Sequence, residues 1–170
     1  ERKMVPQRGN ENRPAAVRAL ILYPMNALVE DQLTRLRKAL DSPEAREFYA
    51  EKIEGNRFYF GRYVGPTPVA GCEFDAEGNY NTQKFNDLRK YLKDTDDTQE
   101  AAADYDAKHN TGKKIVGYFF PTTDGAEMRS RWDMQETPPD ILISNISMLN
   151  IMLMRAVEEP IFEKTKEWLT

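Results

Sequence analysis

An α/β fold, with a parallel sheet covered by helices on both faces to make three layers, is the class this sequence predicts from three observations. Short apolar runs recur at Val17 to Tyr23 and Asp140 to Ser144 without polar alternation, the composition of strands buried on both sides. Each run turns sharply into a stretch whose apolar residues recur at helical spacing. Strand-like and helix-like segments then alternate along the chain, which favours parallel pairing.

The 170 residues suit one domain over 1–170, with 1–16 as an irregular lead-in carrying Pro6, Gly9 and Pro14. Val17 to Tyr23 reads as the first strand, ended by Pro24, whose missing N–H cannot continue a ladder. Asn26 caps the helix that follows: Leu28, Leu33, Leu36 and Leu40 form one face, while Glu30, Asp31, Arg35, Arg37 and Lys38 lie mostly on the other. Asp41-Ser42-Pro43 breaks that helix. A shorter one follows over 44–54, closed by Gly55-Asn56. The aromatic-rich run Arg57 to Val64 is the next strand, stopped by Gly65-Pro66-Thr67-Pro68.

Between Gly71 and Lys114 the composition shifts toward Asp, Asn, Thr and Lys, and 71–114 reads as an insertion on the domain's edge. Helical spacing runs through Phe85, Leu88 and Leu92. Asp94, Asp96, Asp97 and Asp104 form a solvated acidic face, because the glycine and terminal glutamate of a calcium loop are missing. Ile115 to Phe120 is a short apolar run, and 124–135 reads as helical behind a Thr123 or Asp124 cap. After Pro138-Pro139 the opening pattern returns. Asp140 to Ser144 is a strand, Asn145 the turn and 146–155 a helix, and after Pro160 a last helix spans 161–169.

Charge and composition exclude several functions. Net charge is −4, so no global positive field draws the chain onto nucleic acid and any such contact is local. No apolar run approaches the roughly 20 residues of a membrane span, and the polar start is unlike a signal peptide, which predicts a cytoplasmic setting and no membrane partner. The single cysteine, Cys72, excludes an internal disulfide and a cysteine-based zinc site. His109 reads as a solvated loop residue. The absence of an initial methionine and the amphipathic ending FEKTKEWLT suggest a piece of something longer.

In a parallel sheet, ligands sit off the carboxyl ends of the strands, where the turns after Tyr23 and Ser144 both lie. Helix N-termini there offer free N–H groups and a partial positive charge suited to phosphate. At these residues a resemblance enters. LILYPMNALVEDQLTRLR resembles the motif Ia region of superfamily 2 DEAD/DEAH-box helicases, and PPDILISNISMLNIMLMR resembles their motif Ib-like segment. GRYVG, Gly61 to Gly65, lies between, where relatives have a strand ending in a glycine-containing turn. The resemblance covers most of the chain in order, leaves 71–114 unexplained, and extends in kind to large bacterial helicases.

It implies a RecA-like partial domain of the P-loop NTPase type. The partners it implies are a DNA or RNA backbone and a second RecA-like domain of the parent chain. Carried onto this sequence, Pro24, Met25, Asn26 and Leu28 form one grip on the phosphate backbone, and Ser144, Asn145, Ser147 and Met148 form another. Gly65 and Arg62 lie between them, with Ser144 standing where threonine is more usual. Arg129 and Arg131 are further auxiliary charges, each weighed, like Arg62, against a surface salt-bridge role. No catalytic residue, metal ligand or cofactor site is expected in this fragment: it has neither a glycine-rich loop ending in Gly-Lys-Ser/Thr nor an Asp-Glu strand, so ATP and Mg2+ belong to the full-length protein. Two alternatives stay open: a stand-alone α/β phosphate- or protein-binding module without motor activity, and a small α/β enzyme.

Overall fold

The computed structural model of the chain describes residues 7–8, 12–24, 27–110 and 113–170. In chain order the elements are β1 (Ala19–Tyr23), α1 (Ala27–Leu40), α2 (Pro43–Lys52), β2 (Phe60–Arg62), α3 (Thr82–His109), a 3-10 turn (Val116–Phe119), α4 (Arg131–Glu136), β3 (Ile141–Asn145), α5 (Ile146–Met154), a 3-10 turn (Ala156–Glu158) and α6 (Glu159–Leu169). The strands form one parallel sheet in the order β1-β3-β2. Ala19 pairs with Ile141 and Tyr23 with Asn145 along one side of β3, and Phe60 to Arg62 pair with Ile141 to Ile143 along the other.

Alternation along β3 divides the core. Ile143 joins Val29 and Leu33 of α1 with Phe60, Val64 and Ala126, and Ile21, Tyr23 and Ile141 pack against them. Leu142 faces the opposite cluster of Tyr59, Tyr63, Met128, Met134, Met152 and Ile161. Asp140, buried ahead of β3, ties the amino ends of the strands together. Its carboxylate accepts the Tyr59 N–H (2.9 Å) and pairs with Arg8, Arg13 and Arg18, while its carbonyl accepts the Arg18 and Ala19 N–H groups.

The expected three-layer RecA-like sheet is overturned. Strands of five, three and five residues make the whole sheet of the described residues, and most of the described chain is helical, led by the 28-residue α3. The aromatic strand is cut to three residues because the Tyr59 N–H is taken by Asp140 and the Val64 N–H by the Thr67 hydroxyl. On its outer side Phe60 exchanges hydrogen bonds with Ala126 and Met128, so irregular chain closes that edge. β1 also departs from a strand buried on both faces: Leu20 and Leu22 are 44% and 39% exposed.

Three smaller expectations change with it. The helical reading of 124–135 shrinks to α4, because Glu127 is drawn inward to Arg37 and residues 126–128 bond to Phe60. The helix read from the spacing of Phe85, Leu88 and Leu92 continues to His109, which stacks on Tyr105 at 4.3 Å instead of lying in a loop. Its far end is anchored by Asp106, whose carboxylate accepts the N–H groups of Ile115, Val116 and Gly117 (2.9 to 3.0 Å).

Candidate nucleic-acid interface

Parallel pairing in this register puts three strand ends side by side. β1 stops at Tyr23 beside Asn145, and Tyr23 is held to α1 by its hydroxyl, which donates to Gln32 Oε1 (3.1 Å). β2 runs out beside β3, where the Tyr63 N–H donates to the Ile143 carbonyl (2.7 Å). Each strand end then opens into a helix or a rigid turn, so one rim carries all three junctions.

At β3 the turn is made by Asn145. Its Oδ1 accepts the Met148 N–H (2.7 Å), the usual N-cap contact, and α5 begins at the next residue. Ile146 and Ser147 are exposed on this first turn, and Met148 packs inward against the core. Ser144 is different from expectation in its surroundings: it is fully buried, and its hydroxyl donates to the Tyr63 carbonyl (2.7 Å), locking β3 to the end of β2 below the rim.

At β2 the turn Val64-Gly65-Pro66-Thr67 is built by Thr67. Its N–H donates to the Val64 carbonyl, and its hydroxyl accepts the Val64 N–H (3.0 Å) and donates to the Arg62 carbonyl (2.9 Å). Gly65 and Pro66 are exposed at the tip, with open space around Gly65. The stretch after it is fastened to α4: the Arg131 N–H donates to the Pro68 carbonyl, and Trp132 Nε1 to the Gly71 carbonyl (2.9 Å). Between these ties Val69 sits at φ 53°, a left-handed conformation costing a β-branched residue on the order of 1–3 kcal/mol.

The auxiliary arginines separate clearly. Arg62 is ion-paired with Glu30, and Arg129 bonds to Asp133. Arg131 is 3% exposed and has no carboxylate within ion-pair distance among the described residues. Its Nη2 donates to the Val64 (2.8 Å) and Gly65 (3.0 Å) carbonyls, its guanidinium carbon lies 5.2 Å from the Tyr63 ring centre, and its Nε is buried without an acceptor. Burial pulls its pKa below the ordinary arginine value, with Tyr63 opposing and Arg155 reinforcing that shift; arginine nevertheless stays charged. Behind it the Tyr63 hydroxyl donates to Glu158 (2.8 Å) and accepts from Gln135 (2.8 Å), and Glu158 pairs with Arg155.

Pro24 and Leu28 are exposed at the β1 junction, and Met25 and Asn26 lie outside the described residues. The structure therefore brings Pro24, Gly65, Asn145 and Ser147 to one rim, sets Ser144 beneath it, and occupies Arg62 with Glu30. Sequence reasoning missed Thr67 as the builder of the turn. The sequence Gly-Pro-Thr-Pro signalled a turn but not the hydroxyl that closes it.

Fold and rim together define a mostly helical segment with a small parallel sheet whose strands deliver polar junctions to one side. No protein-family model matches the chain, and no solved structure matches it. The chain is similar to Druantia protein DruE of Escherichia coli (strain UMEA 4076-1): the two are 34% identical over 183 aligned positions, covering 89% of this chain and 10% of that protein. The chain thus spans about a tenth of the length of this bacterial relative. No helix of the described residues is long and apolar enough to cross a membrane.

Proposed function

We propose that this segment belongs to an ATP-dependent nucleic-acid helicase or translocase and supplies the loops that grip the sugar-phosphate backbone of DNA or RNA. The observation that carries the reading is the shared rim: Tyr23 and Asn145 are register partners, and the Gly65 turn leaves the neighbouring strand on the same side. A nine-residue helix, α5, opens there with its cap satisfied and Ile146 and Ser147 exposed on its first turn, a geometry that favours an anion. Contacts of this kind hold a backbone and carry no base readout. The motif resemblance of residues 20–37 and 138–155 adds the motor to the grip, and the second motor domain is the remaining partner.

This chain does not fit the ATP and magnesium that such a motor needs. Its sequence has no Gly-Lys-Ser/Thr loop, and among the described residues no three His, Cys, Asp or Glu side chains are grouped to hold a metal. Nucleotide chemistry is assigned to other parts of the full-length protein, and no step of it runs through these residues.

The test is made in the full-length protein. Ser147→Ala removes an exposed hydroxyl that makes no hydrogen bond among the described residues, and Asn145→Ala also removes the α5 cap, worth about 1 kcal/mol. Binding to a single-stranded oligonucleotide, and the ATP hydrolysis it stimulates, should fall roughly tenfold in the double variant with secondary structure retained, as expected for about 1.4 kcal/mol of lost contact. Unchanged binding and stimulation reject the grip.

A further inference from the structure

A buried cation with no anion beside it demands a reason, because an uncompensated charge away from water is costly. Arg131 is such a cation among the described residues. Among the described residues only one of its guanidinium nitrogens is hydrogen-bonded, to the two turn carbonyls, and a buried Nε is left over. Nearby Arg155 is already paired with Glu158, whose other oxygen serves Tyr63, so the local carboxylate is spent. The turn that Arg131 holds carries the exposed Gly65. With its carbonyl turned inward to the guanidinium, the Gly65 N–H has no hydrogen-bond acceptor among the described residues. Pro66, next in line, has no N–H, and the Thr67 N–H is used inside the turn.

We infer that Arg131 is the positive charge behind a phosphate seat at Gly65: it fixes the turn by its carbonyls and supplies the field that a phosphodiester resting on the Gly65 N–H completes. This rests on the backbone-gripping reading and assigns the charge that the neutral rim residues lack. Arg131 is a positioning residue here, since the phosphate touches the glycine and the guanidinium acts from beneath. The strain at Val69 fits the same device, because the connection 64–71 is held by Arg131 and Trp132 against its own backbone preference.

The experiment measures fluorescence-anisotropy binding of a fluorescein-labelled oligo-dT to the full-length protein from 50 to 200 mM salt. Arg131→Gln should weaken binding three- to tenfold at 50 mM and flatten the log-log salt slope by about 0.7, the share of one phosphate on a single strand. Arg131→Lys keeps the charge and should keep the wild-type slope, whereas a purely mechanical role in the turn would leave the slope unchanged in both variants. A folded Arg131→Gln with the wild-type slope overturns the inference. If that variant does not fold, Gly65→Pro decides: it removes the Gly65 N–H and leaves the guanidinium in place, so a slope flattened by about 0.7 supports the seat and the wild-type slope overturns it. Wild-type protein that does not bind the oligonucleotide at all overturns the gripping reading itself, and is thereby distinguishable from failure of the arginine assignment.

Discussion

Two buried arginines on either side of β2 show how differently one residue type can be used. Arg37 of α1 meets Glu127 as a fork, Nε to Oε2 at 2.5 Å and Nη2 to Oε1 at 2.9 Å, and its Nη1 donates to the Tyr118 and Phe119 carbonyls. All three of its nitrogens have acceptors and its charge is balanced. Arg131 is as deeply buried, yet it has two backbone carbonyls and no carboxylate among the described residues. A closed network of the first kind fixes architecture; an open one at the edge of an exposed turn has capacity left for a ligand.

The comparison breaks most visibly at Arg37. Glu127→Ala leaves a buried guanidinium without its carboxylate and should cost roughly 3–5 kcal/mol, whereas Arg37→Met with Glu127→Leu should recover most of that loss. Hydrogen exchange in the full-length protein over 115–128 reads both, and equal protection in the single variant and wild type would refute the structural role. Gly61→Ala comes next, because its Cβ would lie 2.7 Å from Met134 Sδ and 3.0 Å from Met128 Cβ, beneath the turn. A loss of about 1–3 kcal/mol is expected, with nucleic-acid binding weakened alongside, since the turn stands on this strand.

Asp106 sharpens the contrast from the other edge of the fold. Burial raises its pKa, but the N–H groups of Val116, Gly117 and Ile115 and the Asn110 side chain more than offset this, holding it well below the usual carboxylate range. A depressed folded value stabilises above the unfolded pKa of about 3.9. Protection of the 115–117 amides should therefore be full above that pH and fall as the pH drops through the lower folded value. Asp106→Asn should show weak protection with no such step, and nucleic-acid affinity near neutral pH should be untouched. The smallest effect is expected at Val69→Gly, where relief of the left-handed strain, less the entropy of the extra glycine, should stabilise by about 0.5–1 kcal/mol; a lower melting temperature would show that φ at Val69 is not strained.

The parts legible in the sequence were those written in local patterns. The apolar runs at 17–23 and 140–144, and the turn residues after each, lead to β1, β3, α1 and α5, observed at 19–23, 141–145, 27–40 and 146–154. The narrowness of the sheet is not legible in the sequence, because strand extent depends on what competes for backbone groups: the Asp140 carboxylate and the Thr67 hydroxyl each take an N–H from the aromatic run. Arg37 read as solvated because its neighbours in sequence are charged, and its partner Glu127 is 90 positions away. Gly65 was visible as a turn residue. Arg131 reads in the sequence as an auxiliary charge or a surface salt bridge, and its burial without a carboxylate is not legible there, since a missing counter-ion is a property of three-dimensional surroundings.

Cross-linking tests the rim most directly. A photoreactive residue is placed at Pro66 or Ser147 of the full-length protein, with Glu54, an exposed residue in the turn leading toward β2, as the control at the opposite end of the sheet. With a labelled oligonucleotide bound, the rim positions should cross-link strongly and Glu54 should not. Cross-linking at Glu54 with none at Pro66 and Ser147 would contradict the account.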